Sequence, residues 1–431
     1  LGLGLSAALF VAWKKKDYAS KLNELKPSVL HVYRTYFPDP QGGMQEAIRQ
    51  LCLATKAAGV ANTIFTLSPK PQPAVIERPE GRVVRSRSWA APASCDLGGI
   101  DAVTQFRSLA KQSDVVHFLY PWPYADLIHA ATGAKTPAVL TYVSDVVRQR
   151  WLGRAYAPLM WRTLRNMRAI VANCPAYAQT SPVLSDPAIR DKVRVIPLGI
   201  VEESYPVHGD DEVFPRLGLA ADEPFFLFIG VLRYYKGLHV LIEAARQVKA
   251  RIVIAGSGPE GEKLRALAGQ LGAANVLFAG QISDEEKVAL LKRCRALVLP
   301  SHLRSEAYGM VLVEASIFGR PLVSCEIGTG TSYVNAHEES GLVVPPEDSV
   351  ALAGALNTLL NDSALAESLG RGARARIGSM PLGIGSDVTD CDTESTRLTT
   401  AAMVARSTFF GSDLIVDESF EIGTSPSPWP T

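Results

Sequence analysis

Two carboxylates, Glu306 and Glu314, stand eight positions apart in the stretch SEAYGMVLVEASIFGRPLVSCEIGTG, residues 305–330. Glu306 comes just before an apolar run and Glu314 lies inside it, among Val311, Leu312, Val313, Ala315 and Ile317. That run is too apolar for a solvated helix face, and an unpaired buried carboxylate is expensive, so Glu314 needs partners. If both acids sit on or beside one helix, the α-helical rise separates them by about 12 Å, roughly the reach of a nucleoside diphosphate sugar from sugar to ribose. One carboxylate would then hold each end. Gly309 removes a Cβ from the first turn, so the N–H groups there, at Met310 and Val311, would face a phosphate. An acid favoured at a helix start plus a structural ion pair accounts for the same residues equally well.

Other candidate groups follow strand-like text. Arg233 and Lys236, in VLRYYKG after FFLFIG, fall at a strand's carboxyl end beside a helix start. Two cations there would neutralise the charge growing on a departing nucleoside diphosphate; two surface cations are the alternative. Gly42 and Gly43 follow the first strand, where ligands of open α/β sheets collect, so they suggest close backbone approach to a phosphate or sugar, or a plain strand-to-helix turn. His117, in HFLYPWPYAD, is placed just past a strand, where it would orient an acceptor hydroxyl or serve structurally. The run GSGPEG at 256–261 formally matches a dinucleotide fingerprint, but it follows the second strand of its unit and Pro259 changes the turn, so it is discounted. Asp390-Cys391-Asp392 is not preceded by an apolar strand and reads as chance, and no metal is inferred.

These groups require a scaffold of alternating strands and helices. SVLHVYRTYF, QEAIRQLCLATKAAG, NTIFTLSP, DVVHFLYPWP, AVLTYV and AIVANC alternate in that way, implying an α/β fold with parallel sheets covered by helices on both faces. The text turns acidic and loop-like after 205. The domain expectations are an N-terminal extension over 1–27, a first domain over 28–205, a second over 206–377 and an atypical tail over 378–431. Residues 1–13 form an apolar run ending in three lysines, too short to span a membrane, which suits an interfacial helix or a disordered extension. The tail has no lysine, is dense in Ser and Thr, and reads as poorly ordered.

In the context PSHLRSEAYGMVLVEAS followed by EIGTGTSYV, the two acids resemble the E-x7-E signature of retaining glycosyltransferases with the GT-B fold. Within glycosyltransferase family 4, the resemblance is to bacterial polysaccharide and O-antigen mannosyl- and rhamnosyltransferases, over about residues 28–377. It implies two Rossmann-like domains whose parallel sheets face a central cleft, an acceptor domain first and a nucleotide-sugar donor domain second. Glu306 would contact the donor sugar, Glu314 the ribose, Arg233 and Lys236 the pyrophosphate, and the main chain near Ile282 the base. The Gly42-Gly43 loop also fits. Related enzymes place histidines at the positions of Leu119 and Val143, and both are apolar here. The reaction implied is transfer of a mannose- or rhamnose-type hexose, from a GDP-linked donor, to a lipid-linked glycan at the inner face of the cytoplasmic membrane. A nucleotide-sugar epimerase of the same fold and a catalytically silent binding protein are the alternatives.

Composition agrees with a soluble two-domain enzyme: 431 residues, 47% of them hydrophobic and 20% charged, with a net charge of +1 that argues against nucleic acid as a partner. The six cysteines are scattered, with no C-x-x-C and no histidine at metal-ligand spacing, and read as reduced thiols of a cytosolic protein. Six arginines interleave with Trp151, Tyr156 and Trp161 over 148–168, a pattern suited to a membrane surface or to a solvated helix face.

Overall fold

The computed structural model describes residues 27–379, except 40–41, 93–94, 134 and 145–149. The expected extension and tail, with Asp390-Cys391-Asp392, lie outside the described residues, apart from residue 27 and residues 378–379.

The chain builds two sheets. The first contains β1 (Ser28–Val32), β2 (Ala61–Ser68), β3 (Val75–Arg78), β4 (Gly81–Ala90), β5 (Leu97–Gly98), β6 (Val115–Tyr120), β7 (Ala138–Tyr142), β8 (Ala169–Ala172) and β9 (Val193–Val195). Its order is β3-β4-β2-β1-β6-β7-β8-β9, with β5 paired to β4. Pairings along β4-β2-β1-β6-β7-β8-β9 are parallel, and only β3 and β5 run antiparallel to β4. The second sheet contains β10 (Phe225–Ile229), β11 (Arg251–Ala255), β12 (Val276–Gly280), β13 (Ala296–Leu299), β14 (Leu322–Cys325) and β15 (Gly341–Val344), in the order β12-β11-β10-β13-β14-β15, all parallel.

Helices cover these strands, which is why the strand text is continuously apolar rather than alternating. Every residue of β6, β7, β13 and β14 is buried. In an open parallel sheet, ligands collect at the carboxyl ends where the strand order reverses. Those points fall between β1 and β6 in the first sheet and between β10 and β13 in the second. The loops leaving these four strands carry Gly42-Gly43, the segment 121–126, Arg233 with Lys236, and Glu306.

The two units touch along this edge. Tyr308 Oη donates to the Leu198 carbonyl at 3.1 Å, Thr180 Oγ1 to the Gly328 carbonyl at 3.2 Å, and Tyr205 Oη to Glu314 Oε1 at 2.7 Å. The acidic stretch after 205 packs on the second unit: the Asp210 N–H reaches the Glu285 carbonyl at 3.1 Å, and Phe214 is buried against Phe225.

Candidate active site

Lys236 ends a 3-10 turn, Tyr234–Lys236, that begins five residues after β10. Its ammonium bonds Glu306 Oε2, in the loop after β13, so the two adjacent strands of the reversal point each supply one member of an ion pair. Ser301 Oγ also donates to Glu306 Oε2 at 3.0 Å, and Thr329 Oγ1 fixes the Glu306 carbonyl at 2.7 Å. Burial by itself would depress the Lys236 ammonium, but the neighbouring Glu306 and Tyr235 outweigh it and hold it above the ordinary lysine range. Arg233 is half-buried; its carbonyl accepts from the Lys236 N–H at 3.1 Å, and its side chain makes no hydrogen bond or ion pair among the described residues.

The glycines of 256–261 explain how that turn is held. A Cβ on Gly256 would come 2.0 Å from the Gly230 carbonyl, and one on Gly258 would come 2.5 Å from the Leu232 carbonyl. The loop after β11 nests against 230–232 through bonds from the Leu232 N–H to the Ser257 carbonyl (3.0 Å) and from the Glu260 N–H to the Leu232 carbonyl (3.1 Å). Its glycines serve chain-to-chain packing.

Glu314 is buried in the helix Met310–Ile317, and its partners are Lys287 Nζ at 3.0 Å and Tyr205 Oη at 2.7 Å, both on Oε1. Lys287 also pairs with Asp284 at 3.1 Å. Burial opposes its charge, yet Glu314, Asp284 and Glu46 raise its pKa overall. Tyr205 Oη lies 3.4 Å from Glu46 Oε1, and Glu46 is bonded by Arg49, so the network spans both units.

The structure alters two expectations here. Glu306 is not on the helix, which starts only at Met310 after Gly309 in a left-handed conformation, φ +81°. The helical-rise estimate of the Glu306 to Glu314 separation therefore does not apply. Gly309 is also glycine for another reason than an open path to a ligand: a Cβ there would strike Leu299 at 2.8 Å and Leu312 at 3.0 Å. The positive φ and core packing demand it. Met310 and Val311 are buried at the start of the helix, and Ile282 is half-buried beyond β12 against the core.

On the first unit, a Cβ added to Gly42 would lie 3.9 Å from Val231, and one added to Gly43 would lie 4.0 Å from Met310 Cβ. The paired glycines thus sit at the start of the helix Gly43–Ala57, beside the loop after β10 and the helix Met310–Ile317 of the second unit. His117 is not at the cleft. It occupies the middle of β6, 3% exposed, with Nε2 on Thr141 Oγ1 at 2.7 Å and Nδ1 on His31 Nδ1 at 3.0 Å. Burial, then His31, depress its pKa well below the ordinary histidine range. The expectation of an acceptor-orienting His117 is corrected: the strand continues three residues beyond it, and its ring is spent inside the sheet. Leu119 is likewise core, packed with Tyr33, Tyr36 and Ile48.

Beyond β6, Asp126 is buried and bonded by Tyr156, which also meets Tyr120 Oη at 2.7 Å. Burial raises the Asp126 carboxyl to about 7 despite its bonds from Tyr156 and Thr163. Tyr156 and Trp161 pack against the core, so these two aromatics of 148–168 turn inward while Arg162 and Arg165 stay exposed; Arg148 lies outside the described residues. Sequence reasoning missed Lys287, Tyr205, Ser301 and Asp126. The first had one local signal, the Asp284 to Lys287 spacing on a helix.

Residues 209–376 match the family described as "Glycosyl transferases group 1", and residues 42–199 match the "Glycosyl transferase 4-like domain". D-rhamnosyltransferase WbpZ of Pseudomonas aeruginosa is 44% identical over 355 residues, covering 81% of this chain and 90% of that protein. O-antigen chain mannosyltransferase C of Escherichia coli is 39% identical over 352 residues, covering 82% and 94%. In fold, sucrose-phosphate synthase of Thermosynechococcus elongatus aligns at a TM-score of 0.71 and 23% identity over 88% of this chain and 98% of that one. WaaG, a glycosyltransferase involved in lipopolysaccharide biosynthesis, aligns at 0.62 and 18% identity over 87% and 99%. With two parallel sheets apposed at their reversal points and relatives of this similarity along most of its length, the chain belongs to the group 1 glycosyltransferases of GT-B fold.

Proposed function

We propose that this glycosyltransferase moves a mannose- or rhamnose-type hexose from a GDP-linked donor, with retention of configuration, to a lipid-linked glycan in O-antigen synthesis. The observation that carries the reading is the Lys236–Glu306 pair at the reversal point of the second sheet, with Arg233 in the same loop. The sugar and pathway come from the names of the two relatives above.

In this reading Arg233, Lys236 and the N-terminus of the helix at Met310 hold the pyrophosphate, and Glu306 positions the sugar. Glu314 takes the ribose with Oε2, since both of its bonds fall on Oε1. The base lies along the main chain at Ile282, and Gly42-Gly43 approaches the donor from the first unit. The acceptor oxygen attacks the anomeric carbon on the face from which the diphosphate departs. The carbon–oxygen bond to the β-phosphate breaks as the new glycosidic bond forms, and the acceptor proton passes to the leaving phosphate oxygen. Charge on that phosphate is met by the two cations and the helix dipole, so the transfer step is assigned no metal. This route needs no histidine, consistent with buried Leu119 and a His117 spent inside the sheet.

A lipid-linked acceptor would bring the enzyme to the inner face of the membrane as a peripheral protein. No helix among the described residues is long and apolar enough to cross a membrane. A second reading is a donor-binding protein without turnover, motivated by the apolar Leu119 and Val143 where related enzymes place histidines. Incubation with GDP-mannose or GDP-rhamnose and a lipid-linked glycan primer separates the cases. An extended glycolipid with the donor's anomeric configuration supports the proposal. Bound but unconsumed donor supports the silent protein, and an epimerised nucleotide sugar overturns the transferase reaction.

A further inference from the structure

His239, His302 and Glu347 converge beside the donor loop, their candidate ligand atoms all within 4.8 Å of one another. None of the three has a part in the transfer reading. His302 is three residues beyond β13, and its side chain is 1% exposed. Neither of its ring nitrogens has a hydrogen-bond partner. Nε2 faces Glu347 Oε1 at 3.9 Å, beyond hydrogen-bond length. A buried imidazole with both nitrogens unsatisfied is rare in a folded protein and calls for a missing partner. His239 is the second residue of the helix Leu238–Ala245, and its ring stacks on Tyr234 at 5.6 Å with a 2° tilt. His302 stands edge-on to both rings, at 5.2 Å from His239 and 4.9 Å from Tyr234. Glu347 lies in the turn after β15, its side chain 63% exposed and able to swing inward.

We propose that His239, His302 and Glu347 bind one divalent transition-metal ion, zinc by their chemistry, as a clip between three segments of the second unit. Two imidazoles and a carboxylate, with water as the fourth ligand, are a donor set that suits zinc. Tetrahedral zinc at about 2.0–2.1 Å from each ligand sets neighbouring ligand atoms ~3.3 Å apart. Separations of at most 4.8 Å close by no more than about 1.5 Å through rotamer changes at His239 and Glu347, while His302 stays fixed. The clip joins the helix that follows the Tyr234–Lys236 turn, the loop leading to Glu306, and the turn after β15. The loop leading to Glu306 already meets the Tyr234–Lys236 turn, where the His302 N–H reaches the Tyr235 carbonyl at 3.1 Å. The ion therefore stiffens the scaffold of the Lys236–Glu306 pair without touching the donor.

The test uses chelator-treated full-length protein titrated with Co²⁺ and Zn²⁺ alone, so it needs neither donor nor turnover. The expected result is uptake of a single equivalent of Co²⁺, with the visible ligand-field absorption of a low-symmetry nitrogen and oxygen site, displaced by Zn²⁺. Zinc raises the melting temperature of the wild type and not of the variants. His239→Gln and Glu347→Gln, on partly or largely exposed side chains, retain the fold and bind Zn²⁺ roughly 100-fold more weakly, at or beyond the loss typical of a supporting outer-shell group. Absence of stoichiometric uptake by the wild type overturns the proposal. So does an unchanged cobalt spectrum in the His239→Gln/Glu347→Gln double variant, which would put the ion elsewhere.

Discussion

Replacing Lys236 with Met removes the ammonium and keeps most of the apolar stem, which isolates the charge of the Lys236–Glu306 pair. The two side chains are 12% and 11% exposed, so solvent screens them little. Removing one partner of a buried pair costs about 3–5 kcal/mol, because the remaining charge stays desolvated. Ser301 still donates to Glu306 Oε2 at 3.0 Å, which places Lys236→Met near the lower end, about 3 kcal/mol. Glu306→Gln strands Lys236 in the same way. The double variant leaves no buried charge, so its loss falls short of the sum of the single losses by about 2 kcal/mol. Denaturant unfolding of the four proteins measures this cycle. Additivity within about 0.5 kcal/mol would refute the coupling on which the site is built.

The same variants test the donor assignment independently. Lys236→Met loses a charge-assisted hydrogen bond to the pyrophosphate, about 1.5–3 kcal/mol, or roughly a ten- to 150-fold rise in the dissociation constant of a GDP-sugar. Calorimetry reads it directly. A coupled pair with unchanged donor affinity would leave Lys236 a structural cation and remove it from the active site.

Glu314→Ala should weaken the donor by a similar 1.5–3 kcal/mol, checked by calorimetry, with melting curves separating that loss from the stranding of Lys287. Replacing His117 with Gln should lower stability by about 1–3 kcal/mol through its His31 and Thr141 contacts, while donor affinity stays unchanged; a selective fall in turnover with stability intact would restore His117 to the site. Asp126 is protonated below about 7 in the folded protein, and only below about 4 when unfolded. The folded state therefore holds the extra proton between those values, and the Asp126 contribution to stability falls as pH rises through that window. Buried His31, with its pKa lowered to about 4, acts in the opposite sense and loses stability as pH falls below its unfolded value. The readout is thus a difference: the melting temperature of Asp126→Asn relative to wild type should rise between pH 5 and pH 8, and a flat difference would contradict the burial of the charge.

Much of the candidate site in the second unit was legible because its features are local. The strand FFLFIG, the turn with Arg233 and Lys236, and the acid inside an apolar helix each announce themselves within a few residues. An acid at 314 had to have partners on burial cost alone, and Lys287 and Tyr205 are those partners. Their identity was not legible, since they reach Glu314 across 27 and 109 positions, and Tyr205 arrives from the link between the two units. Gly309 has a packing cause that was not legible in the sequence. The sequence marks a position that excludes a Cβ, but whether a ligand or Leu299 excludes it depends on which strand runs behind the loop.

His117 failed for a reason of the same kind. In DVVHFLYPWP, a histidine followed by aromatic and proline residues looks like the end of a strand, because a polar ring inside a doubly covered sheet is costly. The cost is offset by a register. β1 lies beside β6 in parallel, and His31 stands directly opposite His117, so each ring gives the other a hydrogen-bond partner, while Asn62 and Thr141 take the outer nitrogens. That pairing joins residues 86 apart and exists only because the chain crosses over through β2 to β5 before returning to the strand next to β1. No local pattern carries a crossover. A lone histidine in a strand-like run is therefore best weighed against every other polar residue at a matching depth of a strand that could become its neighbour, and here SVLHV at 28–32 supplied one.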